Sequence, residues 1–328
     1  MKYRYFGRGT GIKASPLILG SGMLGNVSGY GSPPDEAKAI LTDFVVAGGN
    51  FIDTSDAYQF GQSETLIGEF ISSCRDDYII SSKYSRTASQ KPSVAAQGSH
   101  RKAMVQSVEA SLRRLNTDRI DIYLAHMDDG ATPIEEVVRG FEDLVSAGKI
   151  IFGGFSNTPA WRVAKAATVA DMRGWAPLGA VQLEYSLLQR TPERELLPMA
   201  DEFGLAVMGY SPLAGGVLTG KYRKGEEGRA TAFKGAISHN DAGLSAKVID
   251  ILVEASEQLG ASPGQIAIAW AISKGVFPII GPRSAAQLED NLGAASISLD
   301  NETIKRLDAA SEISLGYPHE LLASIRQP

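Results

Sequence analysis

Short hydrophobic runs alternate with longer amphipathic segments along most of the chain. Eight runs have the length and composition of buried strands, and they lie near residues 17–20, 50–53, 77–83, 120–126, 150–156, 179–183, 205–210 and 277–281. Strands that alternate with helices form βαβ units, so the pattern predicts a parallel sheet. Eight strands without a break in composition favour one α/β domain over residues 1–328, a (β/α)8 TIM barrel.

Capping residues mark where the intervening helices begin and end. Helix starts are predicted at Ser32-Pro33-Pro34, Thr132-Pro133 and Thr191-Pro192, and stops at Gly48, Gly148 and Gly204. Three features lie outside the regular alternation. They are an N-terminal β-hairpin at about 3–16, extra C-terminal helices near 284–293 and 301–311, and a long polar loop at about 221–242 that would overhang the end of the seventh strand.

Composition narrows the functional class. The net charge is −5 and the chain has no basic cluster, which argues against a nucleic-acid partner. A single cysteine, Cys74, excludes an intrachain disulfide and fits a reducing compartment. No signal-peptide core or membrane-length apolar run is visible, so we expect a cytoplasmic protein without membrane contact. The sequence does not indicate the oligomeric state.

The segment from Gly20 to Gly25 matches the G-x-G-x-x-G pattern of a Rossmann dinucleotide-binding turn. That turn requires a helix at the third glycine, whereas loop residues follow here as far as Pro34. The acidic residue with suitable spacing, Asp43, lies within a helical pattern and not at a strand end. We therefore expect a glycine-rich loop above the first strand, whose backbone can approach a ligand closely.

Four polar residues lie at the ends of successive predicted strands. Asp53 and Tyr58 follow the second strand, Lys83 the third and His126 the fourth. The C-terminal ends of barrel strands converge on one face, so a carboxylate, a phenol, an amine and an imidazole should share one pocket. Each residue alone has an ordinary structural explanation, such as a helix cap or a satisfied core histidine. Their joint placement favours catalysis.

Such a group of side chains is suited to protonating a carbonyl oxygen. A phenol has a pKa of about 10, and a nearby ammonium lowers it, while a carboxylate keeps the ammonium charged. An imidazole beside the phenol can hydrogen-bond the same substrate oxygen. Neither a metal-ligand spacing nor a nucleophile motif accompanies the four residues. Negative charge would then reach the oxygen through hydride transfer, which needs a nicotinamide cofactor.

Over roughly residues 3–312 the chain resembles the aldo-keto reductases. F-I-D-T-S-D-A-Y-Q-F-G-Q-S-E at 51–64 is similar to the family signature around its Asp and Tyr. S-S-K-Y at 81–84 is similar to the lysine strand, and S-L-R-R-L-N-T-D-R-I-D-I-Y-L-A-H at 111–126 to the approach to the histidine. The sequence looks nearest to the branch of bacterial reductases and potassium-channel β subunits. The resemblance implies a (β/α)8 oxidoreductase that uses NADP(H), with NAD(H) as the alternative cofactor.

The resemblance also implies roles for single residues. Tyr58 is then the general acid in reduction and the base in oxidation, Lys83 and Asp53 adjust its acidity, and His126 orients the carbonyl. The implied nicotinamide contacts are Ser156, Asn157, Gln182 and Tyr210, with Asp53 beside them. The implied contacts along the rest of the cofactor are Gly22, Met23, Ser211, Pro212, Leu213, Gly215, Lys221, Gly281, Arg283, Gln287 and Asn291.

The adenosine-phosphate segment departs from the best-known members of that family. They carry a lysine where Gly281 falls and an arginine where Gln287 falls. Arg283 is the expected substitute, because a guanidinium can hold a 2′-phosphate through two hydrogen bonds. No metal ligand is predicted.

The predicted activity is reversible reduction of aldehydes or ketones to alcohols, with hydride from the nicotinamide C4 and a proton from Tyr58. The alternative is a redox-sensing or regulatory subunit that binds the cofactor and turns over slowly. The substrate and the preferred direction stay open, because loops form the pocket walls. Tyr30, Tyr84, Met127 and Tyr317 suggest an apolar or aromatic lining of the pocket. Asp128 and Asp129 could face substrate or cap the loop before Pro133.

Overall fold

The centre of the structure, a computed structural model that describes residues 1–232 and 243–326, is a closed barrel of eight parallel strands. In chain order these strands are β3 (Ile18–Gly20), β4 (Phe51–Asp53), β5 (Ile79–Tyr84), β6 (Ile120–Ala125), β7 (Ile150–Ser156), β8 (Leu178–Glu184), β9 (Ala206–Tyr210) and β10 (Phe277–Ile280). β10 closes the barrel against β3, where Ile279 pairs with Ile18. The predicted TIM barrel is confirmed.

Helices surround the barrel. They are α1 (Pro34–Val46), α2 (Gln62–Ile71), α3 (Arg101–Leu115), α4 (Ile134–Ser146), α5 (Ala160–Arg173), α6 (Leu196–Glu202), α7 (Arg229–Ala232), α8 (Leu244–Leu259), α9 (Pro263–Ser273), α10 (Ala285–Gly293), α11 (Asn301–Ala310) and α12 (His319–Arg326). α1 and α4 begin directly after Pro33 and Pro133, as predicted. α10 and α11 confirm the extra C-terminal helices.

Two predicted boundaries differ from the structure. The segment Thr191–Glu193 forms a 3-10 turn, and α6 begins only at Leu196. The turn is fixed by Glu193, whose carboxylate accepts hydrogen bonds from Tyr185 and Arg190. The polar loop predicted at 221–242 contains a 3-10 turn, Lys221–Lys224, and the short helix α7. Its remainder, 233–242, lies outside the described residues.

The hairpin closes the N-terminal end of the barrel. β1 (Arg4–Tyr5) and β2 (Lys13–Ala14) pair antiparallel, as predicted. Between them Phe6 is fully buried, and its ring centroid lies 5.1 Å from those of both Phe51 and Phe277 in edge-to-face contacts. Aromatic side chains therefore fill the barrel interior at this end, and barrel enzymes place their active sites at the opposite end, where the strands finish.

The glycine-rich segment after β3 is a loop. α1 begins at Pro34, well beyond Gly25, and Asp43 lies inside that helix. The prediction against a Rossmann turn is therefore confirmed. Gly25 has φ +104°, and a Cβ there would lie 2.4 Å from Oε1 of Gln62, so the loop path requires glycine at this position. Within the described part of the chain, no helix has the length and apolarity to cross a membrane.

Candidate active site

The ends of β4, β5 and β6 bring the four predicted residues together. Asp53 ends β4, Lys83 lies near the end of β5, and His126 follows β6 directly. Tyr58 begins a 3-10 turn after β4. Lys83 Nζ lies 2.7 Å from Asp53 Oδ2 and 3.2 Å from the Tyr58 hydroxyl oxygen. The expected meeting of carboxylate, amine, phenol and imidazole is present in the structure.

The Lys83–Asp53 pair is fully enclosed but well hydrogen-bonded. Lys83 Nζ also donates to the Thr54 carbonyl oxygen at 2.7 Å. Asp53 Oδ1 accepts from Ser81 Oγ at 2.6 Å and from Gln182 Nε2 at 2.9 Å. Such additional hydrogen bonds are what make a buried ion pair tolerable.

Burial alone would lower the pKa of Lys83. The charges of Asp53 and Tyr58, with their hydrogen bonds, outweigh burial and raise the pKa of Lys83 above its ordinary value. Lys83 therefore stays an ammonium, a few ångströms from the phenol oxygen of Tyr58.

The turn that carries Tyr58 is held in an uncommon backbone conformation. Gln59 and Phe60 have φ of 49° and 54°, in the left-handed region that side chains seldom adopt. The Gln59 side chain fixes this turn to the glycine-rich loop. Its Nε2 donates to the carbonyl oxygens of Gly22 and Tyr30, and its Oε1 accepts from the backbone N–H of Ser28. The phenol is consequently fixed in position before any ligand arrives.

His126 is a buried, neutral imidazole. Burial first, and then the positive charges of Lys83 and Arg86, lower the pKa of His126 to about 2. Its ring lies edge-to-face with Tyr58, with centroids 5.9 Å apart. Nδ1 lies 3.1 Å from the Ser55 hydroxyl oxygen. The neutral ring can orient a substrate oxygen by a hydrogen bond without adding a charge.

A second polar group lies on the adjoining strand ends. Ser156 ends β7, Asn157 follows it with φ 49°, and Tyr210 ends β9. Asn157 Nδ2 donates to Ser156 Oγ and to the His126 carbonyl oxygen, both at 2.9 Å. The Tyr210 hydroxyl donates to Asn157 Oδ1, also at 2.9 Å. These contacts connect the predicted nicotinamide residues directly to His126.

Lys221 follows β9 and Arg283 follows β10, and the two are near enough for their charges to interact. Burial first, and then the positive charge of Arg283, lower the pKa of Lys221. The negative charge of Glu226 raises this pKa and so offsets part of the decrease. The guanidinium of Arg283 also lies 4.7 Å from the ring centroid of Tyr30. Mutually repelling cations fit an anionic ligand, because a phosphate between them would remove the repulsion.

The other predicted cofactor residues surround these two groups. Gly22 lies beside the phenol of Tyr58, since a Cβ there would come within 3.8 Å of the Tyr58 ring. Gln287 accepts from the Arg283 backbone N–H through Oε1 at 2.9 Å, and Asn291 is buried on the same helix, α10. The rest follow strand ends: Met23 after β3, Ser211, Pro212, Leu213 and Gly215 after β9, and Gly281 after β10.

Several neighbours of the site were not predicted. Ser81 lies two residues before Lys83. Because side chains alternate between the two faces of a strand, both residues lie on the same face of β5, and this alternation could have predicted Ser81 as a neighbour of the site. Gln182, predicted as a cofactor contact, also donates to Asp53, although 129 positions separate them. Ser55 and Asp56 lie between Asp53 and Tyr58, and the Ser55 hydroxyl contacts both Asp56 and His126. In the sequence, the feature that could have indicated these two residues is their position between the predicted residues Asp53 and Tyr58.

Tyr84 does not line the pocket. The expectation that it would do so came from its position in the sequence, where a loop follows the third predicted strand. It is fully buried on the outer face of β5, stacks on Tyr123 with centroids 5.4 Å apart and donates to the Ser99 carbonyl oxygen. Lys83 faces inward, so the next residue of the strand must face outward. Met127, by contrast, is 41% exposed beside His126.

The two aspartates after His126 have structural contacts. Asp129 accepts hydrogen bonds from the backbone N–H groups of Ser99, Ala131 and Thr132. These bonds, with that from the Thr132 hydroxyl, outweigh burial and lower the pKa of Asp129. Asp128 pairs with Arg162 at 3.1 Å. The sequence left open whether these aspartates face substrate or cap the loop before Pro133, and Asp129 caps the loop.

The chain is similar to known proteins over nearly all of its length. The family model "Aldo/keto reductase family" matches residues 16–312. Norsolorinic acid reductase of Emericella nidulans is 36% identical over 95% of this chain and 82% of its own length. Aryl-alcohol dehydrogenase [NADP(+)] of Phanerodontia chrysosporium is 35% identical over 98% and 88%, and an aldo-keto reductase of Aspergillus calidoustus is 34% identical over 98% and 85%.

Proposed function

Because the chain belongs to the aldo/keto reductase family, we propose that it is an NADP(H)-dependent oxidoreductase that reduces aldehydes or ketones reversibly to alcohols. The observation that carries the proposal is the placement of the Tyr58 hydroxyl 3.2 Å from the buried Lys83 ammonium, beside the neutral His126 ring. A phenol near an ammonium can give a proton to an oxygen or take one from it. Membership of the family and the names of the relatives support an oxidoreductase.

In reduction, His126 and Tyr58 hydrogen-bond the carbonyl oxygen, and Tyr58 gives its proton to that oxygen as negative charge develops there. Lys83 stabilises the phenolate that remains, and Asp53 keeps Lys83 charged and oriented. In oxidation, the Tyr58 phenolate takes the proton of the alcohol. The site needs no rearrangement of Lys83 or Asp53 between the two directions, because both are fixed by buried hydrogen bonds.

The residues around this site fit a dinucleotide. Ser156, Asn157 and Gln182 would hold the carboxamide, and Tyr210 would lie against the nicotinamide. Lys221 and Arg283 would bind phosphates, and the repulsion between them supports an anionic ligand there. When bound, the nicotinamide supplies or accepts hydride. The choice of NADP(H) over NAD(H) rests on Arg283, which is the available guanidinium near the predicted adenosine end.

Aromatic carbonyl compounds and aryl alcohols are the proposed substrate class. One of the relatives is named for such compounds, an aryl-alcohol dehydrogenase. The structure offers apolar surface at the same end of the barrel. Phe60 and Met127, close in sequence to Tyr58 and His126 respectively, are each 41% exposed. An aryl ring could cover these side chains while its carbonyl points at the phenol.

Tyr58→Phe tests the assignment of the acid. Loss of a general acid or base reduces turnover by about 10²–10⁴-fold, whereas NADPH binding followed by fluorescence should be unchanged. Tyr78→Phe is the matched control, because it removes a phenol hydroxyl at the opposite end of β5, where Tyr78 contacts Cys74. Normal reduction of aryl aldehydes by Tyr58→Phe would refute the assignment.

The same assay addresses the alternative function. If the wild-type protein binds NADPH but turns over neither aryl aldehydes nor aryl alcohols, a slow redox-sensing or regulatory subunit becomes the better explanation.

The similarity of this chain to the branch of bacterial reductases and potassium-channel β subunits stays a prediction, since the three relatives named above are fungal. A cytoplasmic location also stays a prediction.

A further inference from the structure

The hydroxyl of Ser55 lies between a carboxylate oxygen of Asp56 and a ring nitrogen of His126. Ser55 Oγ is 3.1 Å from His126 Nδ1 and 3.2 Å from Asp56 Oδ1. The backbone N–H of Ala57 donates to the same oxygen at 3.2 Å. Ser55 is fully buried, Asp56 is 1% exposed and His126 is 6% exposed, so water cannot easily replace any of these contacts.

The number of protons in this group is limited. A serine hydroxyl has one proton to donate and two lone pairs, and the Ala57 N–H occupies one of the lone pairs. Ser55 can therefore donate to Asp56 or to His126, but not to both. If it donates to an ionised Asp56, the only way to complete the contact with His126 is for Nδ1 to carry a proton and donate to Ser55. If Asp56 is protonated and donates to Ser55, the hydroxyl can donate to a bare Nδ1.

We propose that Asp56, acting through Ser55, decides which nitrogen of the His126 imidazole carries the proton, and hence whether Nε2 offers a substrate oxygen a donor or an acceptor. The inference rests on the proposed function, because it assigns a positioning role within that site. With Asp56 protonated, Nε2 carries a proton and can donate to a carbonyl oxygen. With Asp56 ionised, Nε2 carries no proton, and its lone pair repels the carbonyl oxygen.

The two states differ by one proton, and its path can be followed atom by atom. A proton that binds Nε2 from the pocket makes the ring transfer its Nδ1 proton to Ser55 Oγ. Ser55 then passes its own hydroxyl proton to Asp56 Oδ1. The result is a neutral ring with the proton on Nε2, an unchanged serine hydroxyl and a protonated carboxyl. No other group gains or loses a proton.

The surroundings of Asp56 allow its protonation near neutral pH. The charged and titratable groups that face it are Glu64 of α2, Arg114 of α3 and Tyr123 of β6. Burial first, and then Glu64, raise the pKa of Asp56 to about 7, while the hydrogen bond from Ser55, the charge of Arg114 and the Ala57 backbone N–H oppose the rise. Asp56 Oδ2 has no hydrogen-bond partner among the described residues.

His126 itself does not titrate in that range. Its charged neighbours are Lys83 of β5 and Arg86 of the following loop, and both disfavour an imidazolium. The ring thus stays neutral while Asp56 changes its protonation state. A change in His126 near neutral pH would therefore be a change of tautomer, which differs from the protonation of an ordinary histidine.

Nitrogen NMR of histidine-labelled protein distinguishes the tautomers directly. The chain has four histidines, so the His126 signals can be assigned by their loss in His126→Gln. We expect the Nε2–H form below about pH 7 and the Nδ1–H form above it, following Asp56. Asp56→Asn should make the tautomer ratio independent of pH, and Ser55→Ala should uncouple it from Asp56. Ser15→Ala, which removes a buried hydroxyl at the opposite end of the barrel, is the matched control.

A single tautomer on both sides of neutrality in the wild-type protein would overturn the proposal, and so would a switch that survives Ser55→Ala. The wild-type titration does not depend on Ser55→Ala, so a failure of that variant to fold leaves the test intact. The spectra need neither cofactor nor turnover, so they test the tautomer even if the proposed reaction is wrong. Where turnover is observed, the KM for the carbonyl substrate should rise about 5–10-fold from acid to alkaline pH, and stay constant in Asp56→Asn.

Discussion

Replacing Lys83 by methionine isolates the energetics of the buried ion pair. Methionine keeps the length of the side chain but removes its charge and three hydrogen bonds, which go to Asp53, the Thr54 carbonyl oxygen and Tyr58. The Asp53 carboxylate then stays buried with only Ser81 and Gln182 as donors. The loss is therefore mainly that of leaving a charge unpaired in the interior.

Breaking a buried pair in this way costs about 3–5 kcal/mol, a large share of the roughly 5–15 kcal/mol by which domains are stable. The size of the loss should depend on the remaining charge. In the double variant Asp53→Asn with Lys83→Met, no unpaired charge remains, and we expect at least half of the loss to be recovered. Acid should also restore part of the stability of Lys83→Met, because a protonated carboxyl is easier to bury than a carboxylate.

Urea unfolding of the wild-type protein, the single variant and the double variant measures these differences by linear extrapolation. The slope of the free energy against urea should be the same in all three, which shows that the same surface is exposed on unfolding. A loss below about 1 kcal/mol in Lys83→Met would refute the reasoning. A double variant as unstable as the single one would show that lost packing, not the charge, is responsible.

Two further predictions concern charges near the site. Arg283→Ala should weaken NADPH binding by about 10–100-fold and NADH binding much less, because only NADPH carries the 2′-phosphate; equal losses in fluorescence titrations would show that this phosphate is bound elsewhere. The pKa of Asp56 is raised from 3.8 to about 7, so folding favours its protonated form and the wild-type protein should lose up to about 4 kcal/mol of stability as pH rises from about 4 to 7. Asp56→Asn should lack this loss, and parallel unfolding profiles for the two proteins would contradict it.

The barrel and its four central residues could be predicted because both depend on local patterns. A buried parallel strand is a short apolar run between turn residues, and the eight predicted runs match the strands to within two residues at each end. Asp53, Lys83 and His126 followed from the rule that strand ends converge. Tyr58 lies close enough to Asp53 in sequence to follow it into the pocket.

Contacts between separate loops could not be predicted in the same way. The approach of Ser55 to His126 joins the loops after β4 and β6, and depends on how the strands are staggered around the barrel. The hydrogen bond from Gln182 to Asp53 crosses the barrel interior. Tyr84 is different, because alternation along β5 already required it to face away from Lys83.

Two glutamines, Gln59 in the Tyr58 turn and Gln62 at the start of α2, affect how the substrate specificity of the protein can be changed. Gln59 binds the backbone at Gly22, Ser28 and Tyr30, and Gln62 Oε1 accepts from the backbone N–H of Asn26 at 2.9 Å. The loop that forms this wall of the pocket is therefore joined by hydrogen bonds to the turn that carries Tyr58, the proposed proton donor. Redesign of the loop for larger or smaller molecules would shift the phenol as well, so selectivity and rate would change together.

The opposite wall offers a separate route. Met127 projects from a segment that is held by hydrogen bonds between Ser99 and both Asp129 and the Met127 carbonyl oxygen. Substitutions at Met127 can alter the shape of the pocket while leaving the donor in place. Laboratory evolution of this protein towards new substrates should therefore accumulate its first useful changes on the Met127 side.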